Sequence, residues 1–574
     1  MTTLFEDFSP NTYNEWKESA IKSLKGADFD KKLKTTNPEG IEIEPIYFSN
    51  PTKSTFGAER SELPWLITEF IQINDIKTAN KAALSALNNG ANAILFDAQF
   101  VDLNASDCAL LLNNIRLEYA PVYFENLKIW DEIISYFNTN LKPSTQISSL
   151  SNIGLDPIGN LEKGAIFEPK EIEKIIANFV PEQPFSIFNI KGTHFKNAGA
   201  NTIEEIAFTI AKGLEYLNLL KKVGIKQFPF HFTLATGSDY FMEIAKLRAF
   251  RLLFQGLLAQ FGYSPQTIII HSKSCEINKT VFDKENNMLR NTTEAMSAII
   301  GGTDSICILP FDYLSETTSI GSRMSRNLQS ILANESYFDK VDDMAKGSGY
   351  IESLTEEICN KTWALLLQIE APGGYIAAYN DGFLTEKIKQ SKNKLVSNLE
   401  TRKTVLLGTN KFPNLHEIIN TAPNKVTNTG GVSEHRLAES FEQIRIETEQ
   451  RFLQTGKRKT FYLLPFGNLA IRKARINFAI NFFGVAGFET VELEGFEDVQ
   501  MAIAEMINLD KDYIVLCGDN ESWNSCLQPI FEAVGVEKFI LAGHPKILNP
   551  ELKNLNIKHF IYEGCNILEV LKSF

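Results

Sequence analysis

From residue 64 to residue 371, short apolar runs alternate with amphipathic ones, and this alternation restricts the fold more than anything else in the chain. The apolar runs are LITEFIQI (66–73), NAILFD (92–97), PVYFE (121–125), TQISSL (145–150), FSIFNI (185–190), FPFHFTLA (228–235), QTIIIHS (266–272) and DSICILP (304–310). Runs of this length, rich in Ile and Phe, predict buried strands. Between them, NDIKTANKAALSALNNG, TIEEIAFTIAKGLEYLNLLKKVG and DYFMEIAKLRAFRLLFQGLLAQFG carry helical periodicity. The last two close on Gly, a common helix stop. Parallel strands need a crossover, and a helix supplies it. Eight alternations over about 300 residues predict a (β/α)8 TIM barrel across residues 61–371. An open doubly wound sheet seldom needs so many units.

A second alternation closes the chain. TFYLLPF (460–466), ETVELE (489–494), YIVLCG (513–518), KFILAG (538–543) and KHFIYE (558–563) predict a flavodoxin-like α/β domain over 456–574. Residues 372–455 read as a linker region packing across domains. It holds a Lys-rich helix near 385–400, a lone strand TVLLG (404–408), an exposed loop TAPNKVTNTGG (421–431) and a helix HRLAESFEQIRIETEQRFLQ. Residues 1–60 form an N-terminal arm. Ser9-Pro10 is a helix start, Tyr13, Trp16, Ala20, Ile21 and Leu24 follow helical spacing, and Gly26 stops the helix. LKTTNPEGIEIEPIYFSNPT then reads as extended. So short a helix needs a surface to dock on, either its own barrel or a partner chain.

Charge and cysteine usage exclude several classes. Lys and Arg total 57 against 70 Asp and Glu, a net charge of −13, which argues against a nucleic-acid-coating protein. KRK at 457–459 is too short to change that. The seven cysteines are scattered with no CxxC pair, as in a reducing compartment. No secretory leader and no apolar run near the ~20 residues of a membrane span is visible, so a cytoplasmic protein is expected.

The common catalytic and binding motifs are missing. No G-x-G-x-x-G or Walker loop opens a βα unit, and no H-E-x-x-H or G-x-S-x-G is present. The seven histidines stand far apart. His231 and His271 lie inside predicted barrel strands and are expected as hydrogen-bonded groups of the barrel interior or rim. Asp342-Asp343 reads as a solvated turn.

Longer strings carry a resemblance. KGTHFKNAGANTIEEIAFTIAKGLEYL (191–217) is similar to the acyl-CoA mutase stretch S-G-Y-H-x-x-E-A-G-A-x-x-x-x-E-x-A-F-x-x-A-x-G-x-x-Y. YFMEIAKLRAFRLLF (240–254) resembles the F-x-E-x-A-K-x-R-A-x-R-x-x-W helix of the same enzymes. RNTTEAMSAIIGGTDSI (290–306), SRMSRNLQSILANES (322–336) and the opening SPNTYNEWKESAIKSLKGADFDKKLKTTNPEGIEIEPIY also look like family segments. In order and nearly end to end, the chain resembles the adenosylcobalamin-dependent methylmalonyl-CoA mutases.

The departures from that family are as informative. Its catalytic chains carry D-x-H-x-x-G after the first strand of the flavodoxin-like domain, with the His as lower cobalt ligand. Here GNLAIRKARINFAI follows TFYLLPF, and the motif is absent throughout. Arg472 and Lys473 stand near the ligand position, and a cation cannot bind cobalt. The family's active-site Tyr-His pair falls on Thr193-His194, leaving His194 as a remnant without its phenol. E-A-G-A becomes Asn197-Ala198-Gly199-Ala200. HSKSCEINKT (271–280) replaces H-x-Q-T-S-G-W, with Lys273 at the Gln. Strand ends, where barrel enzymes keep their chemistry, are where this chain departs.

The resemblance therefore implies a non-catalytic small (beta) subunit of a heterodimeric member. Its large (alpha) subunit would carry adenosylcobalamin and interconvert (R)-methylmalonyl-CoA and succinyl-CoA by a radical rearrangement. This chain would have a degenerate cobalamin-binding domain, no cofactor, no metal and no catalytic residue of its own. The arm would wrap the partner, with Tyr13 and Trp16 as anchors, and no nucleic acid or membrane is expected as a partner. The alternative is an acyl-CoA-binding or catalytic barrel protein acting without its own cobalamin site.

Overall fold

A computed structural model describes residues 12–48, 64–141, 150–164, 185–225, 228–263, 268–315, 317–419, 431–496, 498–507 and 512–574, with Lys170, Ile172 and Ile175 between. Eight parallel strands close into a barrel: β1 Leu66–Gln72, β2 Ala93–Asp97, β3 Val122–Glu125, β4 Asn152–Leu155, β5 Ser186–Lys191, β6 Phe230–Thr236, β7 Ile268–Ser274 and β8 Ser305–Cys307. β8 pairs with both β7 and β1, so no edge strand remains.

Seven of the eight fall on the sequence-predicted runs. The fourth does not. TQISSL lies outside the described residues except for Leu150, and β4 is Asn152–Leu155. Gly154 sits there at φ +79°, and a Cβ on it would meet the Phe124 carbonyl oxygen at 1.7 Å. A Gly in this conformation breaks the apolar pattern that marks the other strands.

The helices Thr202–Lys222 and Tyr240–Gln260 are buried almost all round, because the helix Gly349–Glu370 packs over both as a second layer. Their buried charged residues are paired inside the protein. Lys246 meets Glu205 at 2.9 Å, Arg251 meets Asp304 at 2.9 Å, and Arg248 meets Glu352 at 2.9 Å and also Asp343. Asp343 is thus an ion-pair partner, where the sequence reads as a solvated turn. Removing one member of such a buried pair costs about 3–5 kcal/mol.

In the arm, the helix Tyr13–Ser23 starts at Thr12, whose side chain forms a capping box with Glu15. Ser9-Pro10, the expected start, lies outside the described residues. The stretch read as extended contains an antiparallel hairpin, Thr35–Thr36 with Glu42–Ile43. This hairpin docks on the barrel: Ile41 is buried in the main core, Glu39 accepts from the Thr202 amide at 3.3 Å, and Lys394 donates to the Pro38 carbonyl at 2.9 Å. The helix buries no residue. Trp16 packs edge-on against Phe29, and the Tyr13 hydroxyl donates to Glu44 at 3.0 Å, so both aromatics staple the arm to itself.

The second sheet runs β9 Thr460–Phe466, β10 Glu489–Glu492, β11 Tyr513–Gly518, β12 Phe539–Ala542 and β13 His559–Ile561. The spatial order is β10-β9-β11-β12-β13, all parallel, which is the flavodoxin-like order. The expected strand at 404–408 is a loop: Asn410 accepts from the Leu406 amide at 2.9 Å and donates to the Leu399 and Thr404 carbonyls at 2.9 Å each. The seven cysteines are unpaired, and among the described residues no helix is long and apolar enough to cross a membrane.

Candidate functional site

The C-terminal strand ends of the barrel open into a cavity of about 1400 Å³, the place where the fold carries chemistry. Its floor is a pair of contacts across the lumen. β3 and β7 are four strands apart in the ring of eight, so they face each other. The Tyr123 and His271 rings approach to 5.1 Å, and above them Lys273 Nζ lies 2.9 Å from a Glu125 oxygen. This ion pair is a crossbar through the barrel axis. Lys273 also lies 5.2 Å from the Phe70 ring centroid on β1.

Burial raises the Glu125 carboxyl, but the charges of Lys273 and Lys191 more than offset it and hold it at about 2. His271 is lowered to about 4 by burial and by the same lysines, against the pull of Glu125. Burial, with His271 nearby, lowers His231 to about 3. Both histidines are therefore neutral interior groups at physiological pH.

His194, on the short helix Thr193–Asn197, contacts the Glu162 carboxylate through Nε2. Glu162 is buried and shared: Lys212 lies 3.0 Å away, and the Tyr375 hydroxyl donates to it. Lys212 also reaches Asp156 at 2.9 Å, and the Tyr216 hydroxyl donates to Asp156 at 2.9 Å. Burial lowers the pKa of His194, with Glu162 opposing. Thr193 faces the same cavity without an aromatic ring. The imidazole is thereby committed to a buried carboxylate network.

A strap crosses this mouth. The Val432 amide donates to the Glu162 carbonyl at 2.9 Å, His435 to Asn197 at 3.1 Å and Leu437 to Ile277 at 2.8 Å. The linker region thus ties the loops after β4, β5 and β7 together and places Glu434 in the cavity. Burial and the neighbouring Glu276 push Glu434 up to about 7.

The sequence identifies His194, Thr193 and Lys273 but passes over Glu125, Lys191, Glu162 and Glu434. Glu125 and Lys191 were findable, since each is the polar residue ending a barrel strand.

In the second sheet, the β9 turn is Gly467-Asn468, and Asn468 caps the helix Leu469–Gly484 by accepting from Ala470 and Ile471. Lys473 pairs with Glu492 at the surface. The crevice at the C-terminal ends of β11 and β12 is filled by Trp523, 1% exposed. A Cβ on Gly543 would stand 2.2 Å from its indole, and one on Gly518 would stand 3.2 Å away. Arg475 stacks over the indole at 4.3 Å and donates to Asn520 at 2.8 Å. His544 packs tilted against Tyr562, ring centroids 4.4 Å apart, and His559 contacts Phe574.

Comparison with known proteins gives these sites a context. The methylmalonyl-CoA mutase family profile matches residues 152–456. A methylmalonyl-CoA mutase small subunit of Porphyromonas gingivalis is 31% identical over 100% of this chain and 98% of its own length. The chain belongs to the methylmalonyl-CoA mutase family. A methylmalonyl-CoA mutase small subunit of Streptomyces virginiae is 25% identical, covering 100% of this chain and 97% of that one. A methylmalonyl-CoA mutase of Escherichia coli reaches 34% identity over 44% of this chain and 37% of its own. The family profile covers much of the barrel and the linker region and ends short of the second sheet, which the Porphyromonas gingivalis relative spans.

Proposed function

We propose that the chain is the non-catalytic small (beta) subunit of a methylmalonyl-CoA mutase. In this reading a large (alpha) subunit completes a heterodimer, carries adenosylcobalamin, and interconverts (R)-methylmalonyl-CoA and succinyl-CoA. The observation that carries the reading is the Lys273–Glu125 crossbar at 2.9 Å, which closes the barrel axis that a long thioester substrate would have to enter. Thr193 adds to it, because the residue beside His194 has no phenol to offer a substrate.

The residues after β9 do not fit a cobalamin. Arg472 and Lys473 offer no lone pair to cobalt, and Trp523 fills the crevice at the end of the sheet. The cofactor is accordingly assigned to the partner. The described architecture favours a division into an arm through residue 60, a barrel to 371, a linker region to 455 and a degenerate cobalamin domain to 574. The arm helix, which buries nothing on its own barrel, and the exposed Ile21 and Phe48 are the parts offered to the partner. A cytoplasmic location accords with seven unpaired cysteines.

Spectroscopic cobalamin titration of the purified chain, alone and with its large subunit, tests the reading. No binding by the chain alone, with mutase activity only in the mixture, is expected. Stoichiometric binding by this chain alone would overturn it.

A further inference from the structure

Lys191 ends β5 and projects into the barrel-mouth cavity. Its backbone is pinned on both sides: the amide donates to Asp156 at 3.2 Å, and the carbonyl accepts from Lys212 at 2.7 Å. Its ε-amine makes no hydrogen bond or ion pair among the described residues, although every other lysine around it is engaged. Lys273 is on Glu125 at 2.9 Å, Lys212 on Asp156 at 2.9 Å, and Lys163 donates to Asn126 at 3.1 Å. A lysine held by its backbone, open at its tip and sharing a cavity with other cations is the arrangement that activates an amine as a nucleophile.

We propose that Lys191 captures carbonyl compounds: the barrel mouth takes a small aldehyde or ketone that also bears a carboxylate, forms an imine with Lys191, and holds the anionic end at Lys163. Burial and the charges of Lys163 and Lys273 lower the pKa of the amine, against Glu125 and Asp156, which enlarges its neutral fraction. The neutral amine attacks the carbonyl carbon and forms the C–N bond. The carbonyl oxygen takes a proton, and the nitrogen sheds one, giving a carbinolamine. The hydroxyl then takes a second proton, the C–O bond breaks and water leaves, and loss of the nitrogen's remaining proton gives the imine with no change in oxidation state. Glu434, at about 7, gives the oxygen its proton and regains the one the nitrogen sheds. This capture is independent of any partner and of cobalamin.

The test is reductive trapping on the full chain with glyoxylate and sodium cyanoborohydride at pH 7, mapped by peptide mass spectrometry, with propionaldehyde as the uncharged comparison. Hydride from the reagent reduces the imine to a stable secondary amine. Lys191 is expected to be modified at least about tenfold faster than Lys389, whose side chain is 70% exposed. Lys163→Gln should abolish the preference for glyoxylate while Lys191 is still labelled. Lys191→Arg keeps the positive charge and should lose the mapped site with an unchanged thermal melt. If that variant misfolds, the wild-type pH series decides: the Lys191 rate should level off at a lower pH than the Lys389 rate. Labelling of Lys191 no faster than Lys389 with either aldehyde overturns the proposal, and equal rates with the two aldehydes overturn the role of Lys163.

Discussion

Breaking the crossbar from one side is the most direct perturbation of this barrel. Lys273→Met removes the ammonium, keeps most of the stem, and leaves Glu125 in a lumen where its side chain is only 10% exposed. Holding a carboxyl at about 2 instead of about 4.5 corresponds to about 3 kcal/mol of folded-state stabilisation at neutral pH. That matches the ~3–5 kcal/mol expected when one partner of a buried pair is deleted. The assay is urea unfolding of the full chain followed by tryptophan fluorescence, with Lys273→Met, Glu125→Leu and the double variant side by side. Each single change should cost about 3 kcal/mol, and the double should recover most of the loss, because neither member of the crossbar is then left without the other. The pH response gives an independent sign. In the wild type the depressed Glu125 contributes stability that is full above the unfolded carboxyl range and is lost as pH falls toward about 2. In Lys273→Met, Lys191 is the main charge left to oppose burial at Glu125, so the depression shrinks and the variant should lose less stability on acidification than the wild type. A single-variant cost below about 0.5 kcal/mol, or an acid limb as steep as the wild type's, would mean that the lumen is solvated and would refute the closed-axis reasoning.

Three further outcomes follow from the site geometry. His194→Ala in the assembled complex should leave turnover within about twofold of wild type, and a hundredfold loss of kcat would contradict the non-catalytic reading. Trp523→Ala should destabilise the second sheet by about 3–5 kcal/mol, measured by urea unfolding, because the crevice under Gly518 and Gly543 would be left empty. Glu162→Gln should lower the pKa of His194 further, seen by NMR titration of the imidazole, since the carboxylate is what opposes burial there.

The parallel strands and their order were legible in the sequence because each buried strand is a dense apolar run, and chain order becomes spatial order in a barrel. β4 escaped because Asn152 and Gly154 interrupt the run. There Asn152 turns its side chain to the Phe188 carbonyl at 2.9 Å, a contact whose partner lies 36 residues away. TVLLG fails in the opposite way: it has strand composition but no neighbouring strand among the described residues, so Leu406 is buried while Val405 and Leu407 stay exposed. At the site, His194 and Lys273 stood out against a family pattern, but their partners did not. Glu125 is 148 residues from Lys273, and only closure of the ring sets them opposite each other. Lys212, Lys246 and Arg248 look like the solvated face of amphipathic helices, but Lys212 reaches the Lys191 carbonyl at 2.7 Å, Lys246 the Ala235 carbonyl at 2.5 Å, and only Arg248 meets the helix Gly349–Glu370, through Glu352 at 2.9 Å.

The strap has a mechanical meaning. The polypeptide leaves the barrel, turns back over its open end, and is buttoned to three loops before it enters the last sheet. A load applied to the C-terminal sheet therefore meets the Glu442–Val281 hydrogen bond, at 2.8 Å, and then the Leu437, His435 and Val432 fastenings, and not an idle tether. Pulled from its end, the chain should yield by unbuttoning the barrel mouth, and Glu434, riding on the strap, would be withdrawn from the cavity in the same movement.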